Sequence, residues 1–210
     1  MTTAIGAYAT ASLLKTQTAI GDNTDDTVLG YVCDRINQYI ESRTQRVLAP
    51  IASTTYLYDG DGTTSIYLPF PVDKAPIGGI RAVTLVEVQL FTASGYTSLP
   101  SGDTFLRQQA VRASGAPFER LVMSDYPTGG YLYFPRGFAT VRVTGTAGWA
   151  AIPDDITEVA LVAATRAWHA VQAGQADIVG TDDMGRPLVS RFFSARDLET
   201  LDRYGASLPG

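Results

Sequence analysis

The amino-acid sequence predicts an α+β fold: a helical bundle with an inserted antiparallel β domain and an extended C-terminal arm. Apolar residues recur at helical spacing before Pro50 and again after Pro153, whereas Gly, Pro, Thr and Tyr become frequent between Thr54 and Trp149. With 210 residues, 45% of them hydrophobic, the chain can bury roughly 70% of its unfolded surface without a metal or disulfide. The predicted division is a helical core of residues 1–52 and 150–185, a β domain of residues 53–149 and an arm of residues 186–210.

Two helices are predicted before the β domain. A short one covers about Thr10–Thr18, and the acidic segment Asp22–Asp26 supplies candidate caps for a longer one. The longer helix carries an apolar stripe and is expected to end near Leu48, before Pro50. The stripe consists of Val28, Leu29, Val32, Cys33, Ile36, Tyr39, Ile40 and Val47. Cys33, the only cysteine, is therefore expected to be a buried core residue.

The β domain is predicted to contain short strands separated by turns. Thr54–Tyr58 and Ser65–Leu68 flank Asp59-Gly60-Asp61-Gly62, whose Asp-Gly steps tolerate positive φ, so these strands are expected to form a hairpin. Further strands are expected at Val83–Phe91, Thr104–Gln109, Leu121–Met123, Tyr131–Phe134 and Thr140–Thr144. Short strands at this spacing favour a small sandwich or a barrel-like sheet.

Two more helices are predicted after the β domain. Proline and carboxylates favour a helix start at Pro153-Asp154-Asp155, and an alanine-rich helix is expected to continue to Gly174. Its apolar face should pack on the long second helix, with Val32, Ile36 and Ile40 facing Val159, Ala163 and Ala167. A loop at Asp177–Pro187 and a short helix at about Ser194–Tyr204 complete the prediction.

Charge and hydropathy exclude several classes of protein. The net charge is −5 and the 16 basic residues are dispersed, which is not the pattern of a nucleic-acid-binding surface. No apolar run reaches the roughly 18 to 20 residues of a membrane span, and Met1–Ala4 lacks the basic start of a signal peptide. The sequence therefore predicts a soluble protein without a membrane partner.

No constellation of residues nominates an enzyme, a metal site or a cofactor site. Asp59 and Asp61 resemble the start of a calcium loop, but its twelfth position is Phe70 instead of glutamate, so a turn is the better interpretation. His169 is the only histidine and is expected to be a packed or surface side chain. The adjacent acidic pairs are interpreted as helix caps or solvated loop: Asp25-Asp26, Asp154-Asp155 and Asp182-Asp183.

Several segments together resemble one protein family. They are, in chain order, the Tyr8–Thr10 helix start, the helix after Asp25-Asp26, the Thr55–Leu68 segment, TVRVTGTAGW at Thr140–Trp149, IPDDI at Ile152–Ile156 and the closing Ala195–Tyr204. This order is similar to that of the head-tail connector (adaptor) proteins of tailed bacteriophages and gene transfer agents. The resemblance covers nearly the whole chain.

The resemblance implies a structural function in a virion-like particle. It implies a ring of twelve subunits at the neck, between the portal protein and the tail. A tail-terminator, stopper or other tail-completion protein would attach below, and DNA would pass through the lumen without specific binding. Before assembly the chain would reside in the host cytoplasm.

The segment Arg186–Gly210 is predicted to be the portal-binding arm. The loop that precedes it is rich in Gly and Asp, which is typical of a flexible tether. A lone short helix cannot bury the apolar residues that follow. Aromatic residues beside arginines are enriched at interface hot spots. The candidate contacts are Arg191, Phe192, Phe193, Arg196, Leu198, Leu201, Arg203 and Tyr204. The alternative is that this helix folds back onto its own domain.

Two other functions remain open. A tail-terminator or other neck protein would be mostly β, whereas this chain has two predicted helices of about 20 residues. A β-rich carbohydrate-binding module is favoured by tyrosines on predicted strands, although such residues are more often core or interface. These tyrosines are Tyr56, Tyr58, Tyr67, Tyr131 and Tyr133.

Overall fold

The computed structural model of the chain is an α+β fold that divides into two units. The structure describes residues 7–74, 76–90, 95–107, 115–173 and 192–205. A helical unit is formed by the chain before Arg46 and after Ala151, and a β unit is formed by Arg46–Ala151. The predicted fold class is confirmed: along the chain, helices come before and after an inserted set of antiparallel strands.

The helical unit is organised around its second helix. Its elements are α1 (Ala11–Thr18), α2 (Asp26–Thr44), α3 (Asp154–Gln172) and α4 (Ala195–Arg203). Helix α2 packs against α1, α3 and α4. The predicted packing of α2 on α3 is confirmed, and all six residues expected between them are buried: Val32, Ile36, Ile40, Val159, Ala163 and Ala167. Cys33 is buried as expected.

Helix α2 ends earlier than its apolar pattern predicts. It stops at Thr44 because Gln45 adopts the left-handed conformation, with φ of 52°, and the helix does not reach Leu48. Val47 and Leu48 are buried, so they continue the apolar spacing without belonging to the helix. Periodicity therefore marked Val47 correctly as core but with the wrong backbone conformation, and it wrongly placed Val28, which is 38% exposed, on the buried stripe.

The described residues of the β unit form two antiparallel sheets. The strands are β1 (Ile51–Gly60), β2 (Ser65–Tyr67), β3 (Ile80–Val88), β4 (Thr97–Ser98), β5 (Thr104–Arg107), β6 (Arg120–Met123) and β7 (Gly137–Ala147). One sheet has the order β1-β7-β3-β4 and the other β2-β6-β5. Both contribute to one apolar core, which includes Tyr58 of β1, Ile66 of β2, Leu121 of β6 and Val143 of β7. This arrangement is the small sandwich that the strand spacing predicted.

The predicted hairpin of β1 and β2 is wrong. Strand β1 pairs with β7 and strand β2 pairs with β6, so the two strands belong to different sheets. Asp59 Oδ1 accepts a 2.7 Å hydrogen bond from Ala139 N, which attaches the end of β1 to β7. Asp61 Oδ1 accepts hydrogen bonds from Thr63 N and Oγ1, and Gly62 has a φ of +82°. The turn interpretation is therefore right, but the turn crosses between sheets.

One further strand prediction is wrong, and one strand was not predicted. Residues Tyr131–Phe134 do not form a strand; Phe134 is instead buried, and its N–H donates to the carbonyl of Thr63. The short strand β4 was not predicted, because two residues carry no measurable alternation. The predicted loop at Asp177–Pro187 lies outside the described residues.

Candidate functional site at the C-terminal helix

The start of helix α4 is held by a capping box and by an arginine of α3. Ser194 Oγ accepts a hydrogen bond from Asp197 N at 3.2 Å, and Asp197 Oδ2 accepts one from Ser194 N at 2.8 Å. Arg166 donates to the same Asp197 oxygen and to the Phe192 carbonyl, both at 2.8 Å. Burial raises the pKa of Asp197, but these hydrogen bonds outweigh it and hold the pKa below its usual value. Helix α4 is thus tied to α3 at its first turn.

The apolar residues predicted to be exposed on an arm are buried instead. Phe193 stacks on Tyr39 of α2, with ring centroids 4.7 Å apart and an interplanar angle of 24°. Phe192 and Leu201 are also buried. Helix α4 packs on α2 and α3, which supply the apolar surface that a lone short helix lacks. The described part of the predicted extended arm, Phe192–Gly205, therefore folds back onto the helical unit, and this expectation is corrected.

The end of α4 is held by two polar contacts. Tyr204 Oη donates to the carboxylate of Asp155, with distances of 2.8 and 2.9 Å to its two oxygens. Burial, followed by this hydrogen bond, raises the pKa of Tyr204 to about 12. Arg43 of α2 binds Asp202 through two parallel hydrogen bonds of 2.8 and 2.9 Å. The hydrogen bond from Arg43 lowers the pKa of the Asp202 carboxyl.

The remaining candidate residues lie on the outer face of α4 or outside the described part of the chain. Arg196 and Arg203 are exposed, and Leu198 is half-buried. Arg203 Nη2 lies 3.4 Å from Oε1 of Glu199, one helical turn earlier. Arg191 falls outside the described residues. The structure therefore separates the seven described candidates into four that anchor α4 and three on its outer face. The anchoring residues are Phe192, Phe193, Leu201 and Tyr204, and the outer face carries Arg196, Leu198 and Arg203.

This charged face borders a groove between α3 and α4. The groove has a volume of about 430 Å³ and is lined by Asp155, Glu158, Val159, Val162, Arg166, Ser194, Arg196, Asp197, Thr200 and Arg203. Its lining mixes carboxylates with guanidinium groups, so it suits polar and ionic contacts with another protein. We call it the α3–α4 groove.

Sequence reasoning identified α4 but missed its partners. Arg166, Tyr39 and Asp155 carry no local signal of a contact with residues 26 to 154 positions away. The capping box was detectable, because Ser194 is followed three residues later by an acidic residue. Asp154 and Asp155 were interpreted as helix caps, but the cap position of α3 is Pro153, which makes no side-chain capping hydrogen bond. Both acids lie in the first turn of α3, and the carboxylate of Asp155 binds Tyr204.

Within the described ranges, the other polar residues singled out in the sequence do not converge on a reactive site. His169 is exposed on α3. Asp25 precedes α2, but its side chain makes no capping hydrogen bond, and Asp26 instead pairs with Lys15 at 2.7 Å. In the described ranges, no group of three or more His, Cys, Asp or Glu side chains could hold a metal ion. Asp182 and Asp183 lie outside those ranges.

Comparison with known proteins found one kind of similarity. The chain is similar in structure to a chain described as the neck of an empty gene transfer agent (GTA) particle, computed with C6 symmetry. The two chains are 18% identical with a TM-score of 0.55, and the similarity covers 100% of this chain and 96% of that chain. This chain shares the fold of that GTA neck chain.

The comparisons by sequence gave no match. No family model matches the chain, and no curated protein matches it. The structural similarity confirms the fold of a GTA neck chain, and no comparison identifies the adaptor family. Separately, none of the helices in the described part of the chain has both the length and the apolar character needed to cross a membrane.

Proposed function

We propose that the chain is a structural head-tail connector (adaptor) subunit in the neck of a tailed bacteriophage or gene-transfer-agent-like particle. The observation that carries this proposal is the full-length structural similarity to a GTA neck chain, which includes both the helical and the β unit. The function is that of a building block and not of an enzyme. The order of motifs in the sequence supports the adaptor assignment within the neck.

In this function, copies of the chain form a ring that joins the portal protein to the tail and continues the DNA channel. The GTA neck was computed with six-fold symmetry, which permits the twelve copies implied by the sequence resemblance. A tail-terminator, stopper or other tail-completion protein binds the opposite side of the ring. The net charge of −5 favours passage of DNA over tight binding.

The two rival functions receive less support. A tail-terminator was expected to be mostly β, whereas α2 and α3 each contain 19 residues. Of the five tyrosines that favoured a carbohydrate-binding module, Tyr56 and Tyr58 are buried, and Tyr58 Oη donates to the carbonyl of Leu68 at 2.9 Å. Tyr133 is exposed, but it does not lie on a strand. The helices therefore favour the adaptor, and the burial of Tyr56 and Tyr58 removes two of the five rings from a sugar-binding surface.

We assign portal binding to the exposed face of α4. Arg196 and Arg203 present guanidinium groups beside the α3–α4 groove, and Leu198 adds a half-buried apolar contact. Phe192, Phe193, Leu201 and Tyr204 hold this face in place from within the helical unit. Arg191 lies outside the described residues and remains a sequence-based candidate for the same contact.

Charge reversal on this face tests the portal assignment. Replacing Arg196→Glu and Arg203→Glu together is expected to weaken co-sedimentation with purified portal rings at least tenfold, because two interfacial cations become anions. The melting temperature should stay near that of the unchanged protein, since both side chains are exposed. The matched control, Arg196→Lys with Arg203→Lys, keeps the charge and should retain most binding. Unchanged binding of the Glu variant would remove α4 from the portal interface.

Gene deletion tests the neck function as a whole. Cells that carry the particle genes but lack this chain are expected to produce heads and tails that are not joined, as seen by negative-stain electron microscopy. Supplying the chain from a plasmid should restore joined particles. Joined particles in the absence of the chain would contradict the proposal.

A further inference from the structure

Strand β1 lies at the edge of its sheet. In the order β1-β7-β3-β4 it has β7 on one side, and its backbone N–H and C=O groups alternate between β7 and the outer side. An open strand edge is a template on which another chain can add a strand. What covers the outer backbone groups of β1 therefore decides whether the chain can associate through this edge.

The sequence of β1 makes an open edge prone to self-association. Residues Ile51–Tyr58 contain no charged residue, no proline and no glycine, and most of them are β-branched or aromatic. Segments with high β-propensity and low charge stack readily into sheets between chains. Because every copy of the chain carries the same edge, antiparallel pairing of β1 with β1 of a second copy would close a two-fold dimer.

Residues Val72–Lys74 cover the outer backbone groups of β1. Val72 N donates to the carbonyl of Leu57 at 2.8 Å, and Asp73 Oδ1 accepts a 2.9 Å hydrogen bond from Leu57 N. Both backbone groups of Leu57 are thus bonded, as they would be by a neighbouring strand. Lys74 Nζ donates to the carbonyl of Thr55, two residues earlier on the same edge. We call Val72–Lys74 the edge guard.

The two charges of the edge guard hold one another in position. Lys74 Nζ lies 3.0 Å from Asp73 Oδ2, while Oδ1 of the same carboxylate binds Leu57 N. Lys74 Nζ also lies 4.8 Å from the centroid of the Tyr56 ring, a cation–π distance. Burial raises the pKa of Asp73, but the hydrogen bonds from Leu57 and Lys74 outweigh it and hold the pKa below its usual value. The carboxylate therefore stays ionised at neutral pH.

The edge guard is exposed, whereas the chain beside it is anchored. All three residues of the guard are exposed, and Pro71 before them is buried. Farther along, Ile77 N donates to the carbonyl of Pro69 at 3.0 Å, which closes the base of this segment. Charged side chains that point at a strand edge are a means by which proteins prevent pairing between edges. A strand that approached β1 would have to displace Asp73 and Lys74 from their partners.

We propose that the edge guard prevents the chain from associating with itself through β1. Asp73 and Lys74 take the place of a neighbouring strand, and they exclude the β1 strand of a second copy. The guard acts within the β unit and does not depend on the proposed neck function.

Removal of both charged side chains tests the edge guard. The variant Asp73→Ala with Lys74→Ala loses the hydrogen bonds to Leu57 N and to the Thr55 carbonyl, and its net charge is unchanged because one acid and one base are lost. Sedimentation velocity should show species larger than those of the unchanged protein, and their share should rise with concentration. The melting temperature should stay within a few degrees of that of the unchanged protein, since the guard is exposed.

Two control variants should sediment like the unchanged protein. Asp73→Asn with Lys74→Arg keeps a hydrogen-bond acceptor and a donor at the same positions. Lys15→Ala with Asp26→Ala removes an ion pair of the same net charge from the helical unit. These controls separate the loss of the guard from the loss of any ion pair.

A rescue variant locates the association on β1. Adding Ser53→Lys to the Asp73→Ala, Lys74→Ala variant places a positive charge on an exposed position of β1. Two copies of β1 would then bring like charges to one edge-to-edge contact, so the sedimentation of the unchanged protein should return. Larger species that persist in the rescue variant would place the association on another surface and overturn the proposal.

The remaining outcomes are equally decisive. A folded Asp73→Ala, Lys74→Ala variant that sediments like the unchanged protein overturns the guard. If that variant does not melt cooperatively, Lys74→Ala alone is measured, because it keeps the Asp73 hydrogen bond to Leu57 N. Larger species from the folded single variant support the guard, and unchanged sedimentation overturns it.

Discussion

Tyr204 and Asp155 join the end of α4 to the start of α3 through a hydrogen bond of 2.8 Å from Tyr204 Oη to Asp155 Oδ1. The contact spans 49 residues of sequence and holds the end of α4 opposite its capping box. Replacing Tyr204→Phe removes only the hydroxyl and is expected to lower the free energy of unfolding by about 1 kcal/mol. Urea denaturation measures this change. Tyr126→Phe, whose hydroxyl is exposed, is the control and should leave the midpoint unchanged.

Alkaline pH is expected to destabilise the protein between pH 10 and 12. Burial and a hydrogen bond to Asp155 raise the pKa of Tyr204 to about 12, and burial together with Asp73 raises that of Tyr56 to about 12, both from 10.0. Because tyrosines of the unfolded chain ionise first, the stabilisation is complete below pH 10 and is lost as the pH rises towards 12. Urea midpoints measured across this range test the effect. A flat profile would contradict it, and Tyr204→Phe should make the decline shallower.

Leu201 is expected to be a major anchor of α4. Because Leu201 is fully buried, Leu201→Ala should lower the free energy of unfolding by about 3 kcal/mol. Leu198 is half-buried, so Leu198→Ala should lower the free energy of unfolding by less than about 1 kcal/mol. Deleting residues 186–210 should destabilise the helical unit further, because it uncovers the ring of Tyr39. Thermal melting of the three variants checks this order. Equal losses for the two leucines would contradict the packing of α4.

The helices were predictable because their information is local. Spacing of three and four residues selected Val32, Ile36 and Ile40 as the buried face of α2, and the same residues are buried in the structure. The position of α4 was also predictable from Ser194 and the apolar residues after it. Its burial was not, because the ring that covers Phe193 belongs to Tyr39, more than 150 residues earlier.

Strand pairing was less predictable than strand position. The turn at Asp59–Gly62 fits a hairpin locally, yet β1 and β2 pair with strands that lie far along the chain. Tyr56 and Ile66 are buried in a core shared by both sheets. Alternation within one strand predicts which face is buried, but it does not predict the partner strand. Asp103 was missed for a related reason: an acid after Pro100-Ser101-Gly102 has the pattern of a surface turn, although its carboxylate is buried.

Asp59 and Asp61 are expected to tolerate replacement by asparagine. Each accepts hydrogen bonds through Oδ1, and the amide oxygen of asparagine can accept the same bonds from Ala139 N and from Thr63. The double variant Asp59→Asn with Asp61→Asn should therefore melt within a few degrees of the unchanged protein. Melting curves with and without a chelator are the test. A melting temperature that falls only when the chelator is present would indicate a metal at this turn.

The β unit contains a buried ion pair, and removing only one of its two charges is expected to destabilise the fold. Arg46 Nη2 lies 2.6 Å from Glu119 Oε1, and the side chains are 2% and 1% exposed. Glu119→Gln removes the negative charge but leaves the guanidinium buried, so the free energy of unfolding should fall by about 3 to 5 kcal/mol. Replacing both residues, Arg46→Met with Glu119→Leu, removes both charges and should cost far less than the single change. Urea denaturation of Arg46→Met, Glu119→Leu and the double variant forms a double-mutant cycle, and Glu119→Gln is measured beside it. Additive losses would show that the two charges do not stabilise one another, and near-complete recovery in the double variant would show that they do.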